Sequence, residues 1–195
     1  MNESIVINFI GPFSWLGTED SSSIFDSPES HKKGIYLWAV NIEAGYLIYY
    51  VGITARSFSE RMKEHFKEHF AGFYHLNKSA EFKKGIRKPI WPGMYDVENK
   101  ISLIELASHH AKLSEEIYNL AKIYRFFIAP IDNDRRLIER TEGALANHLY
   151  HQEGIVGTFQ EKGIRYRPRL QTEKPLRVSF KASTKILGLP DILEI

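Results

Sequence analysis

The chain has 195 residues, 43% of them hydrophobic and 26% charged, with a formal net charge of +2, the balance of an ordinary globular protein with one good core. It has no cysteine, which removes disulfides, thiolate zinc sites and cysteine nucleophiles together. No run of about 18 apolar residues points to a membrane span, and residues 1–10 lack the basic start and long apolar stretch of a secretory signal, so a cytoplasmic protein without membrane contact is expected.

Residues 1–30 hold Glu3, Glu19, Asp20, Asp26 and Glu29 but no Lys or Arg. Basic side chains concentrate later, at Lys78, Lys83, Lys84, Arg87 and Lys88, and again from Lys162 through Arg165, Arg167, Arg169, Lys174, Arg177 and Lys181 to Lys185. Patches of this kind suit a polyanion, because neutralising phosphates releases counterions. A set of solvated surface charges accounts for each patch taken alone equally well.

In chain order, residues 5–10 suggest a short strand, and the Ser-, Asp- and Glu-rich stretch 17–30 a loop. Residues 34–42 and 46–53 are rich in β-branched and aromatic side chains and flank Glu43-Ala44-Gly45, the pattern of a β-hairpin. Ser57-Phe58-Ser59-Glu60 matches a capping box, and Phe58, Met62, Phe66 and Phe70 recur every fourth residue to give one apolar helical stripe. Stretch 72–100, with Pro89, Pro92 and Gly93, is irregular and reads as an excursion. Residues 101–107 and 113–121 look helical, and 124–131 a buried strand ended by Pro130. Asp132 or Asp134 can cap a helix over 135–150, and the tail suggests short strands at 176–180 and 185–195.

The order is therefore hairpin, helix, excursion, strand, helix, with Gly34-Ile35-Tyr36 opening the hairpin and Tyr50-Val51-Gly52 closing it. Downstream, Arg61 and His65 follow in an Arg-x-x-x-His spacing. In these motifs the sequence resembles the GIY-YIG nuclease superfamily, which includes certain homing endonucleases, restriction enzymes and an excision-repair nuclease. The resemblance covers residues 33–70 well and 124–150 moderately. It implies an α+β fold with a small antiparallel three-stranded central sheet flanked by helices. Residues 1–30 are then an acidic N-terminal extension, 31–155 the nuclease domain with an insertion at about 72–122, and 156–195 a basic C-terminal β extension.

The resemblance also implies metal-dependent phosphodiester cleavage, of DNA ahead of RNA, with Mg²⁺ or Mn²⁺ as cofactor and Tyr36, Tyr50, Arg61, His65 and Glu142 as catalytic residues. Glu142 would be the metal ligand. Helical geometry bears on two of these assignments. At about 100° per residue, Arg61 and His65 share one face at the rim of the apolar stripe. Of the two acids in the later helix, Glu142 lies at the edge of the apolar face set by Leu137, Ile138, Thr141, Leu145 and Leu149, while Glu139 points away from it and is expected to be solvated. Gly143 beside it is unfavourable in a helix interior by about 1 kcal/mol relative to Ala and would permit close approach of another element. Arg56, Gly52 and Thr54 are candidate substrate contacts.

An asparagine that many members carry after the glutamate has no counterpart here, since Asn147 is on the wrong side of its helix. His109, His110, His148 and His151 are expected to be surface or structural, and Trp15, Trp38 and Trp91 core or loop anchors. One rival is a catalytically degenerate nucleic-acid-binding module of the same fold; another is a regulatory module in which stretch 17–30 covers the basic site. Without a zinc finger or helix-turn-helix, specificity could come from a second copy of the chain or a targeting partner.

Overall fold

A computed structural model describes residues 3–96, 98, 100–132 and 134–195. Among these the strands are β1 (Glu3–Ser14), β2 (Ser22–Ser23), β3 (Gly34–Ile42), β4 (Gly45–Thr54), β5 (Leu76–Asn77), β6 (Pro89–Trp91), β7 (Tyr124–Pro130), β8 (Leu176–Ala182), β9 (Ile186–Leu187) and β10 (Ile192–Glu194). The helices are α1 (Phe58–Phe70), α2 (Ser79–Phe82), α3 (Leu103–Ile123), α4 (Arg135–Tyr150) and α5 (Gly154–Phe159).

The fold mixes α and β elements around one large sheet in the order β10-β8-β1-β7-β3-β4-β9, with β2 paired to β1. This corrects the small three-stranded sheet. The expected antiparallel trio β7-β3-β4 is present at the centre, but β1 extends it antiparallel to β7, and β8 joins β1 in parallel from Glu3↔Leu176 to Phe9↔Ala182. The first strand is also longer than residues 5–10. On the other side β9 pairs with β4 only at Tyr46 and Leu47.

Both faces of this sheet are covered, which explains why β3 is buried along its first seven residues instead of alternating. Tyr36, Trp38 and Val40 point into one core with Phe58 and Met62 of α1 and Ile117 and Leu120 of α3. Ile35, Leu37 and Ala39 point into the other, with Ile138, Leu145 and Leu149 of α4. Trp15, Trp38 and Trp91 are all buried, as anchors should be.

Two further expectations change. The helical stretches 101–107 and 113–121 are one continuous α3, started by Ser102, whose hydroxyl accepts the Glu105 N–H. The polar residues between them are simply its exposed face. Stretch 17–30 is ordered rather than an open loop: it carries β2 and two short 3₁₀ turns at Ile24–Asp26 and Pro28–His31. Its Asp20 pairs with the buried Arg125 at 2.7 Å and Glu29 with Lys32 at 2.7 Å. No helix among the described residues is long and apolar enough to cross a membrane.

Candidate active site

The central hairpin places the tyrosines. Tyr36 and Gly52 are directly opposed across β3 and β4, so a side chain at 52 would share the space above the Tyr36 ring. A Cβ at Gly52 would lie 2.4 Å from the Tyr36 hydroxyl and 2.8 Å from the Tyr50 ring. The glycine therefore lets the Tyr36 ring lie flat over β4 toward Tyr50, whose ring centroid is 6.3 Å away. Burial pushes the Tyr36 phenol up to about 12 despite the nearby Arg61 charge. Burial also raises Tyr50, together with the neighbouring Tyr36 and the charge of Glu142. Both rings therefore hold their protons at neutral pH.

Helix α1 supplies the next groups. Its capping box forms as the sequence indicates: the Ser57 hydroxyl accepts the Glu60 N–H at 3.2 Å and Glu60 accepts the Ser57 N–H at 3.1 Å. This fixes the helix start and with it the angular position of Arg61 and His65. His65 is buried well inside the stripe rather than at its rim, at 3% exposure, while the Arg61 side chain keeps 30%.

These side chains form one chain of hydrogen bonds. The Arg61 Nε–H donates to the Tyr36 hydroxyl at 3.4 Å. Tyr36 Oη and His65 Nε2 are 2.8 Å apart, and His65 Nδ1 lies 2.6 Å from the Tyr74 hydroxyl. The Tyr74 hydroxyl donates its single proton to a Glu68 oxygen, and Tyr95 donates to the other at 2.9 Å. That ordering settles the histidine tautomer. Tyr74 can only accept from His65, so the ring proton is on Nδ1, and Nε2 accepts from Tyr36. Burial and the Arg61 charge push His65 down to about 3, so the ring is neutral. Arg61 is shifted the other way: burial opposes its charge, but Tyr36 and Glu64 hold the guanidinium and win.

Helix α4 packs on the opposite sheet face, yet Glu142 reaches the same place. It lies at the outer edge of β4, beyond where β9 pairs, and its carboxylate accepts the Ile53 N–H. Its charge acts on both Tyr36 and Tyr50. Burial pushes the Glu142 carboxyl up to about 7; Arg167 only partly offsets this, and Glu139 adds to it. Gly143 does permit a close approach: a Cβ there would sit 3.0 Å from the Arg167 N and 3.2 Å from the Arg165 carbonyl. This passing segment also changes the fate of Glu139. It is not solvated but 13% exposed, bridged to Arg167 at 2.5 Å and Arg135 at 2.9 Å.

Glu142 is therefore a half-buried carboxylate short of positive charge, and a divalent cation fits that deficit. Among the described residues no group of three or more acidic or histidine side chains forms a ready cage. A hard ion that keeps several waters and takes substrate oxygens suits a single carboxylate better than one needing a full protein shell.

The remaining predicted contacts sit around this centre. Arg56 is exposed and pairs with Glu64 at 2.7 Å, as does Arg61 at 3.0 Å. The Thr54 hydroxyl is engaged within its own turn, accepting the Arg56 N–H at 3.1 Å and donating to the Arg56 carbonyl at 3.1 Å, so it holds Arg56 in place. His148 and His151 bond within their own helix end, and His109 and His110 are exposed.

Several residues carry the site without a sequence signal. Tyr74, Tyr95 and Glu68 extend the chain beyond His65. Gln160, buried at 2%, donates its side-chain amide to the Ile48 carbonyl of β4 at 2.6 Å. Glu161 follows, with its N–H on the Tyr49 carbonyl at 2.8 Å and its side chain on Tyr49 and Arg87. Nothing in the sequence distinguishes Gln160 from the other amides after Glu142, which are Asn147, Gln152 and Gln171.

Tyr50, Arg61, His65 and Tyr74 line one side of a cavity of about 760 Å³ that runs from the centre under the 72–96 excursion. Comparison with family models, curated proteins and solved structures returns no match to this chain.

Proposed function

We propose that this chain is a metal-dependent endonuclease of the GIY-YIG type that hydrolyses phosphodiester bonds of nucleic acid, DNA ahead of RNA. The observation that carries this reading is the directional hydrogen-bond chain Arg61–Tyr36–His65, with Glu142 on the same edge of β4. A core built only for packing has no need of a guanidinium, a phenol, a neutral imidazole and a half-buried carboxylate gathered around the same pair of strands.

Phosphodiester hydrolysis requires an activated water and neutralisation of the charge that develops on the phosphate. A divalent cation, Mg²⁺ or Mn²⁺, held by Glu142 would supply Lewis-acid neutralisation there. Arg61 and the exposed Arg56 bind the phosphate oxygens, and the Tyr50 hydroxyl orients the attacking water.

Tyr36 is the base, but not as a free tyrosinate, which a phenol near 12 does not supply at neutral pH. Nor does an imidazole near 3 accept a whole proton for long. The relay avoids both charged species. As the water oxygen attacks phosphorus, its proton passes to Tyr36 Oη, the Tyr36 proton to His65 Nε2, the His65 Nδ1 proton to Tyr74, and the Tyr74 proton to Glu68. Each ring ends neutral, and the half-buried Glu68 carries the proton to solvent. The P–O bond to the 3′ oxygen breaks, and that oxygen takes a proton from water.

The test is cleavage of supercoiled plasmid, single-stranded DNA and RNA with Mg²⁺, Mn²⁺ or EDTA. Metal-dependent cleavage should fall at least about 100-fold in Tyr36→Phe and vanish in Glu142→Ala. Wild-type rates in either variant would sink the reading. Binding without cleavage in the wild type would identify a degenerate nucleic-acid-binding module instead.

A further inference from the structure

The proton relay takes up only part of the wall of the cavity beside the centre. Its volume of about 760 Å³ is far more than a water and a phosphate need, and it is within the range of sites that enclose organic ligands. Its walls are mostly rings and flat apolar surface: Tyr50 and Tyr74 near the centre, Pro92 and Ile90 from the excursion, and Tyr95 at the exposed lip. The Tyr74 and Tyr95 rings stand 6.0 Å apart.

Its far end is polar in a specific way. Arg87 holds Glu161 at 2.6 Å and donates to His75 Nδ1 at 3.4 Å. Accepting at Nδ1 leaves the His75 proton on Nε2, so that nitrogen is a donor. Glu161 Oε2 takes both Tyr49 and Arg87, which leaves Oε1 as an acceptor. The cavity thus offers π faces along its walls, with His75 as a donor, Glu161 as an acceptor and Arg61 among its polar lining groups.

From this arrangement we infer that the cavity receives one unpaired nucleobase, adjacent to the phosphate held at Arg61, so that the enzyme cuts beside nucleotides that have left a duplex stack. The inference deepens the nuclease reading and rests on it. Ring walls give every base a stacking surface regardless of identity. A base still paired in a duplex cannot enter, because reaching an enclosed pocket requires it to leave the stack. Substrates already unpaired at that position, such as single strands, bulges and mismatches, escape that cost.

The experiment uses the full chain carrying Glu142→Gln, without divalent metal, so that binding is read apart from cleavage. A fluorescein-labelled DNA duplex with one bulged nucleotide is compared by anisotropy with the same duplex carrying an abasic bulge at that position. The abasic bulge is expected to weaken binding about tenfold, the loss of one stacked base. Ile90→Trp, which puts a larger ring into the cavity, should reduce that contrast. Tyr95→Ala at the exposed lip should reduce it if the first variant does not fold. Equal affinity for the two duplexes overturns the inference, as does contrast undiminished in a folded Ile90→Trp. The nuclease reading fails separately, by absence of metal-dependent cleavage in the wild type.

Discussion

Replacing Glu142 by Gln should make the metal-free protein more stable while removing its activity. Burial raises the Glu142 carboxyl from the ordinary 4.5 to about 7, so the folded state disfavours the ionised form that the unfolded chain adopts freely. Each tenfold change in proton affinity is worth about 1.4 kcal/mol, which sets the cost of ionisation at no more than about 3 kcal/mol, less where water reaches the group. The cost is absent below about pH 4.5, where both states keep the proton, grows between there and pH 7, and is complete above. The Gln variant should therefore gain no more than about 1 kcal/mol at pH 5 and up to about 3 kcal/mol at pH 8, a rise in Tm of roughly 5–10 °C for a chain of this size. Urea melts in EDTA at both pH values measure this. Adding Mg²⁺ at pH 8 should stabilise the wild type and not the variant. A variant equally or less stable than wild type at pH 8, or a gain that does not grow with pH, would refute the claim that Glu142 is an uncompensated carboxylate.

Other consequences follow from the same geometry. His65 should show the Nδ1–H tautomer in long-range ¹H–¹⁵N spectra and should not titrate above pH 5, given its value near 3; an Nε2–H ring would reverse the relay. Because His65 charges more readily unfolded than folded, it contributes stability that is fully present above about 6.5 and lost as the pH falls toward 3; His65→Phe should flatten that acid limb in denaturant melts. Gly52→Ala drives a methyl to within 2.4 Å of the Tyr36 hydroxyl, and because that ring is buried it cannot simply swing away. A loss of about 1–3 kcal/mol with a cleavage rate at least about tenfold lower is expected, and a fully active Ala variant would mean that the Tyr36 position is unimportant. Glu68→Gln removes the charged end of the relay while leaving an acceptor for Tyr74. Cleavage should slow about tenfold with the circular dichroism unchanged; an unchanged rate would remove Glu68 from the relay.

What the sequence determined by itself is local. The hairpin around Glu43-Ala44-Gly45, the Ser57–Glu60 cap, the α1 stripe and the α4 helix all rest on neighbours within a few residues, where propensity and capping act without help from the rest of the chain. The approach of Tyr36, Gly52, Arg61 and His65 follows from those same elements, because strand pairing and a four-residue helical step are short-range geometry. The width of the sheet was decided elsewhere. β1 and β8 are each other's partners across most of the chain length, and nothing near Glu3 or Leu176 announces a pairing so distant. The burial of Glu139 and the role of Gly143 likewise depend on a segment more than twenty residues downstream lying across α4. The relay beyond His65 depends on the chain turning back at Gly72, whose φ of 72° favours glycine. That turn returns Tyr74 to a helix it has just left. Side-chain chemistry is written residue by residue, but which donors and acceptors meet is set by where the folded chain crosses itself, and only the tertiary structure holds that information.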